Sequence, residues 1–160
     1  MEQIFTSLSN FAVFRGAGSA ELATIASLLR PFNCADGGFL FHQGEPAEKM
    51  LLIDWGSVEV LDEVSENTLV RLAIRQEGES VGEMALIERH HRTASIRALE
   101  STGGWSLHHD DFQGLKQQHP ELFIRVLSNI ARELSRRLQR MDVEFSSGLF
   151  ASGRMQSQVC

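Results

Sequence analysis

With 160 residues, 42% of them apolar and 22% charged, the chain is long enough for one packed core and too apolar to be disordered throughout. A net charge of −6 argues against a duplex-DNA binder, because phosphate contacts dominate that affinity. Two distant cysteines, Cys34 and Cys160, make no disulfide framework, and no apolar run nears the roughly eighteen residues of a membrane span. No basic and then apolar leader opens the chain, so the expected location is the cytoplasm, with Cys34 as a small core residue.

The chain opens with helical spacing. A short amphipathic segment around Ile4, Leu8 and Phe11 precedes a helix that Ser19 caps, with apolar positions at Leu22, Ile25, Leu28 and Leu29 and a stop at Pro31. From Phe32 to Leu107 the pattern changes to short apolar runs with turn signals between them. These runs are Phe39-Leu40-Phe41, Met50 to Ile53, Val58 to Leu61, Leu69 to Ile74, Ala94 to Leu99 and Trp105 to Leu107. Many short strands broken by glycine predict a mainly β, antiparallel, jelly-roll-like barrel.

Helical spacing then returns. Asp110 or Asp111 can cap a short helix holding Phe112 and Leu115, and Pro120 suits the first position of the next. That last helix carries Phe123, Leu127, Ile130, Leu134, Leu138, Met141 and Phe145 in steps of three and four, a single stripe. Ser146-Ser147-Gly148 is expected to end it. The resulting division is a domain over 1–145 (helices 1–30, β-roll 32–107, C-terminal helices 110–145) and a flexible tail over 146–160.

The chemistry is concentrated in Val81 to Ser95. Gly82 lets backbone approach a ligand closely, and the apolar turn that begins at Glu83-Met84-Ala85 offers amides to an anion. Arg92 can bind phosphate through paired charge-assisted hydrogen bonds, and Glu83 can accept from a hydroxyl. Those are the groups a ribose phosphate requires.

This segment, with Gly82-Glu83, the turn Met84 to Ile87, and Arg92-Thr93-Ala94, resembles the phosphate-binding cassette of the cyclic-nucleotide-binding domain family. The resemblance spans roughly Phe14 to Met141, including turn glycines at Gly44, Gly56 and Gly78; it departs at Val81, where the family commonly has phenylalanine. It implies that Glu83 takes the ribose 2′-hydroxyl and Arg92 the cyclic phosphate. The Ala85 amide and Thr93 would complete the phosphate shell, and Gly82 would line the sugar, with Met84 and Ala94 in the same cassette. Thr93 leaves cyclic AMP and cyclic GMP both open. The final helix would close over the base, with Arg137 as its polar contact, since it sits about 60° from the centre of the apolar stripe.

A surface ion pair between Glu83 and Arg92 would leave Gly82 and Thr93-Ala94 unexplained. His90-His91 and His108-His109 are adjacent pairs, whose side chains diverge in a strand, and His42 has no evident partner, so no metal site is expected. Trp55 and Trp105 read as packing, and Arg125, Arg132, Arg136 and Arg140 as a solvated helix face. The expectation is a non-enzymatic sensor of cyclic AMP or cyclic GMP, with no further cofactor, no DNA-binding domain in this chain, an effector protein as partner, and a possible homodimer through the last helix. The alternatives are an interaction module of the same fold without nucleotide, and a jelly-roll metal enzyme.

Overall fold

The computed structural model describes residues 2–66 and 68–156, with side chains for 6–66 and 68–143. Ile4, Phe145, Cys160 and the last four residues of the expected tail therefore fall outside what is described below in whole or in side chain. Helices α1 (Glu2–Asn10) and α2 (Ser19–Leu28) come first, with a 3-10 turn over Ala12–Phe14 between them. Gly18, rather than Ser19, is the cap of α2: its N–H donates to the Glu21 carboxylate at 2.8 Å, which closes the first turn from within.

Eight strands follow: β1 (Arg30–Cys34), β2 (Phe39–Phe41), β3 (Lys49–Trp55), β4 (Ser57–Ser65), β5 (Thr68–Gln76), β6 (Ser80–Val81), β7 (Ser95–Ala98) and β8 (Thr102–His108). They form two antiparallel four-stranded sheets, ordered β1-β8-β3-β6 and β2-β7-β4-β5. The two sheets pair within themselves and do not close, so the expected barrel is an open jelly-roll sandwich. Nor is the chain mainly β, because more residues lie in helix than in strand. Cys34, expected in the core, is only half-buried, because β1 is a sheet edge.

Strand β3 is apolar on both faces, and each face has its own core. Met50 and Leu52 point to the helical side with Phe11, Phe14, Ile25, Leu107, Phe112 and Val126; Leu51 and Ile53 join Phe41, Val58, Val81 and Ile96 between the sheets. A strand covered on both sides reads as a continuous apolar run, which is why its alternation is invisible in the sequence. Gly103 and Gly104 let β8 lie tight against this strand. Trp55, 46% exposed, stacks over Gly103, while Trp105 packs on the helical core as expected.

Across the second sheet, Glu59 is buried between Arg97 and Arg71, whose Nε atoms lie 2.7 and 2.6 Å from its oxygens. Burial pushes its pKa up, but hydrogen bonds and charge from the two arginines outweigh this and hold it below the usual carboxylate range.

After β6 comes α3 (Met84–Ile87), and after β8 come α4 (His109–Gln118) and α5 (Pro120–Gln156). His108 is the cap of α4, and Asp110 and Asp111 lie in its first turn, where they face the positive end of the helix dipole. Helix α5 passes through Ser146-Ser147-Gly148 without a break. Serine and glycine weaken a helix by under about 1 kcal/mol each, and no proline follows to stop it. The single expected stripe divides in two. Ile130 is buried, and Phe123, Leu127 and Leu134 pack half-buried on the helical core, beside Leu122 and Val126, which the stripe did not include; Leu138 and Met141 are 61% and 64% exposed. Asn129, which periodicity did not single out, is buried and donates to the carbonyls of Val13 and Arg15 at 3.2 and 2.9 Å, tying α5 to the 3-10 turn.

Candidate nucleotide site

Strand β6 ends at Gly82, where φ is +74°, a value that glycine adopts without strain. The bend is crowded: a Cβ on Gly82 would sit 2.6 Å from Nη1 of Arg92. The two ends of the segment singled out by sequence are thus in contact. The loop from Glu88 to Ala94 is held by backbone bonds to the β2–β3 loop. Arg92 N–H donates to the Glu45 carbonyl at 2.7 Å, Gly44 N–H to the Arg92 carbonyl at 2.9 Å, and Ala47 N–H to the His90 carbonyl at 2.8 Å.

Arg92 is 6% exposed, an unusual position for a cation. Its Nη2 donates to the Lys49 carbonyl at 2.7 Å, and its guanidinium lies 3.8 Å over the Phe41 ring. Its buried Nε has no hydrogen-bond partner, and no carboxylate forms an ion pair with it among the described residues. Burial pushes its pKa down, against the fields of Glu45 and Glu48. A buried guanidinium left without counter-charge is costly unless an anion meets it.

Glu83 is 3% exposed and reaches the other side of the segment. Its Oε1 accepts from Ser80 Oγ at 2.6 Å and pairs with Nη2 of Arg137 on α5 at 2.9 Å. The same guanidinium donates to the Ser80 carbonyl at 3.0 Å and lies 3.5 Å from Glu133. A carboxylate has about four acceptor positions, so a further hydroxyl can still be accommodated. Ala85 is buried, and its N–H bonds the Gly82 carbonyl at 3.1 Å, so a ligand would share that amide. Met84 and Thr93 are exposed, and Ala94 is half-buried. Sequence reasoning missed Ser80, three residues before Glu83, and Phe41, the aromatic seat under Arg92; neither carries a recognisable motif.

No group of three or more histidine, cysteine, aspartate or glutamate side chains is placed to hold a metal ion among the described residues. His90 and His91 sit in the loop, with His90 Nδ1 against the neighbouring His91 carbonyl. Of the arginines read as a solvated face, Arg125 pairs with Glu21 and Arg136 and Arg140 with Glu133, while Arg132 donates to Asn129.

The profile of the cyclic nucleotide-binding domain matches residues 31–119, more than half of the chain. The chain belongs to the cyclic nucleotide-binding domain family. It is 30% identical over 141 residues to the acetyltransferase Pat of Mycolicibacterium smegmatis, which covers 88% of this chain and 42% of that protein. It is 34% identical over 96 residues to the cAMP-activated global transcriptional regulator CRP of Salmonella typhimurium, covering 59% of this chain and 46% of that one. This cyclic nucleotide-binding domain thus spans less than half the length of those two relatives. Among solved structures, the catabolite activator protein of Thermus thermophilus superposes with a TM-score of 0.74 at 28% identity, over 87% of this chain and 63% of that one. No helix among the described residues is long and apolar enough to cross a membrane.

Proposed function

We propose that this domain is a cytoplasmic, non-enzymatic sensor that binds a cyclic nucleotide, cyclic AMP or cyclic GMP, and passes a conformational change to a partner protein. The observation that carries this reading is Arg92, a buried guanidinium with no acidic partner among the described residues, in contact with the backbone bend at Gly82. A phosphodiester anion would neutralise it, and Glu83 would take the ribose hydroxyl. The exposed hydroxyl of Thr93 is compatible with either base. Arg137 links the Glu83 carboxylate to α5, so a ligand that competes for Glu83 also acts on that helix.

One observation favours a module of the same fold without nucleotide: Glu83 is already engaged by Ser80 and Arg137. Titration calorimetry with cyclic AMP and cyclic GMP in parallel separates the two readings. Micromolar or tighter binding of either is the expected result; no heat and no thermal shift with both would leave only the interaction module.

The outer side of α5 supplies a route to a second copy. Exposed Ile124, Ala131, Leu138 and Met141, with Leu127 and Leu134 between them half-buried on the helical core, follow one another in steps of three and four, the seam of a two-stranded coiled coil. Light scattering should give a dimer mass for the wild-type chain and a monomer for Leu138→Glu. A monomeric wild type, with and without nucleotide, would remove the dimer.

A further inference from the structure

The cassette helix α3 is held at its C-terminal end by the helix that follows β8. Its last turn closes with the Glu88 N–H on the Met84 carbonyl at 3.0 Å, which leaves the carbonyls of Ala85 and Leu86 beyond the ladder. Both are taken by side chains of α4. His109 Nδ1 lies 2.7 Å from the Ala85 oxygen, and Gln113 Nε2 donates to the Leu86 oxygen at 2.9 Å. Residues four apart share a helix face, so a single face of α4 presents both donors. Leu86 is fully buried in the same core as Phe112 and Leu115, which adds apolar contact to the two hydrogen bonds. The first residue of α4 is itself pinned, its N–H donating to the Glu48 carbonyl at 2.8 Å.

We infer that His109 and Gln113 are positioning residues for the cassette: they clamp two of the carbonyls left free at its end and make α3 and α4 move as one body. A carbonyl can only accept, so the neutral His109 ring carries its proton on Nδ1. The clamp stands on geometry alone. Its use in signalling rests on the reading that Gly82 to Thr93 takes a nucleotide; the ligand then acts on α5 at Glu83 and on α4 at Ala85 and Leu86.

The 160-residue chain without ligand tests the clamp first. Long-range proton–nitrogen NMR should find the Nδ1–H tautomer of the neutral His109 ring; a neutral ring protonated at Nε2 instead overturns the clamp. Hydrogen exchange at Leu86 and Glu88 should rise about tenfold or more in the double variant His109→Leu, Gln113→Leu, as expected when two such bonds are removed, with β3 and β8 unchanged. His109→Asn, whose amide nitrogen can donate from nearly the same place, should keep protection close to wild type. Equal exchange in the double variant and wild type would refute the clamp, and if that variant does not fold, the wild-type tautomer and His109→Asn still decide. With cyclic nucleotide added, the wild type should show slowed exchange in α4, and the double variant should bind without that response. An undiminished response in the double variant overturns the coupling. Absence of binding by the wild type instead overturns the nucleotide reading, and with it the signalling role, while the ligand-free measurements still judge the clamp.

Discussion

Replacing Arg92 by leucine is expected to abolish nucleotide binding while leaving the ligand-free protein as stable as the wild type, or more stable. The guanidinium is buried, its Nε has no acceptor, and burial already pushes its pKa down. Its bond to the Lys49 carbonyl and its place over Phe41 offset only part of that desolvation. Leucine fills apolar space beside Phe41 and removes a charge without counter-ion, a change that is often neutral or stabilising. The function lost is large. Each charge-assisted bond to phosphate contributes about 1.5–3 kcal/mol, so losing a bidentate contact should weaken binding by roughly two to four orders of magnitude. Calorimetry with thermal melts, with and without nucleotide, reads both effects. Affinity within threefold of wild type would show that Arg92 is not the phosphate contact, and a marked drop in the ligand-free Tm would show that its role is structural.

Gly104→Ala is expected to be the most damaging single methyl group in the fold. Strands β8 and β3 are the two central strands of their sheet, and a Cβ on Gly104 would lie 2.0 Å from the Leu52 carbonyl oxygen and 2.7 Å from the Asp54 nitrogen. Both neighbours are backbone in a ladder that runs from Lys49↔His108 to Trp55↔Gly103, so relief requires the strands to part. That separation also disturbs Met50 and Leu52 on one face and Leu51 and Ile53 on the other, and so both cores. The cost should be on the order of 3–5 kcal/mol, a large share of the stability of a typical domain. Thermal or urea unfolding against Gly44→Ala provides the scale. Gly44 also has positive φ but open space around it, and should lose only about 1 kcal/mol. A Tm for Gly104→Ala within a few degrees of wild type would refute the close approach of β8 to β3.

The part of the site that was legible from sequence is the part that is local. Gly82, Glu83 and Arg92 fall within one short stretch, and the bend at Gly82 brings Arg92 back onto it, so their types and spacing already describe an anion-binding turn. Ser80 lies one residue before that stretch and donates to Glu83 from a strand that periodicity cannot separate from the turn. Phe41, Lys49, His109 and Gln113 belong to elements that only sheet pairing and helix docking bring to the cassette. Arg137 lies between these cases. Its angular position on α5 pointed towards the domain, but its partner Glu83 could not be read from a helix period.

The order of helix, strands and helices, the family through its cassette, and the residues of that cassette with most to gain from an anion are all legible in the chain. These depend on spacing, turn chemistry and apolar periodicity, which act over a few residues. Tertiary structure alone decided that the sheets remain an open sandwich, that β3 serves two cores, that Cys34 stays near a sheet edge, and that α5 runs past Ser146-Ser147-Gly148 to Gln156. It also decided which stripe of α5 is buried and which is left exposed. The physical reason is common to all of them: a side chain's period says which residues share a face, whereas burial depends on what that face meets.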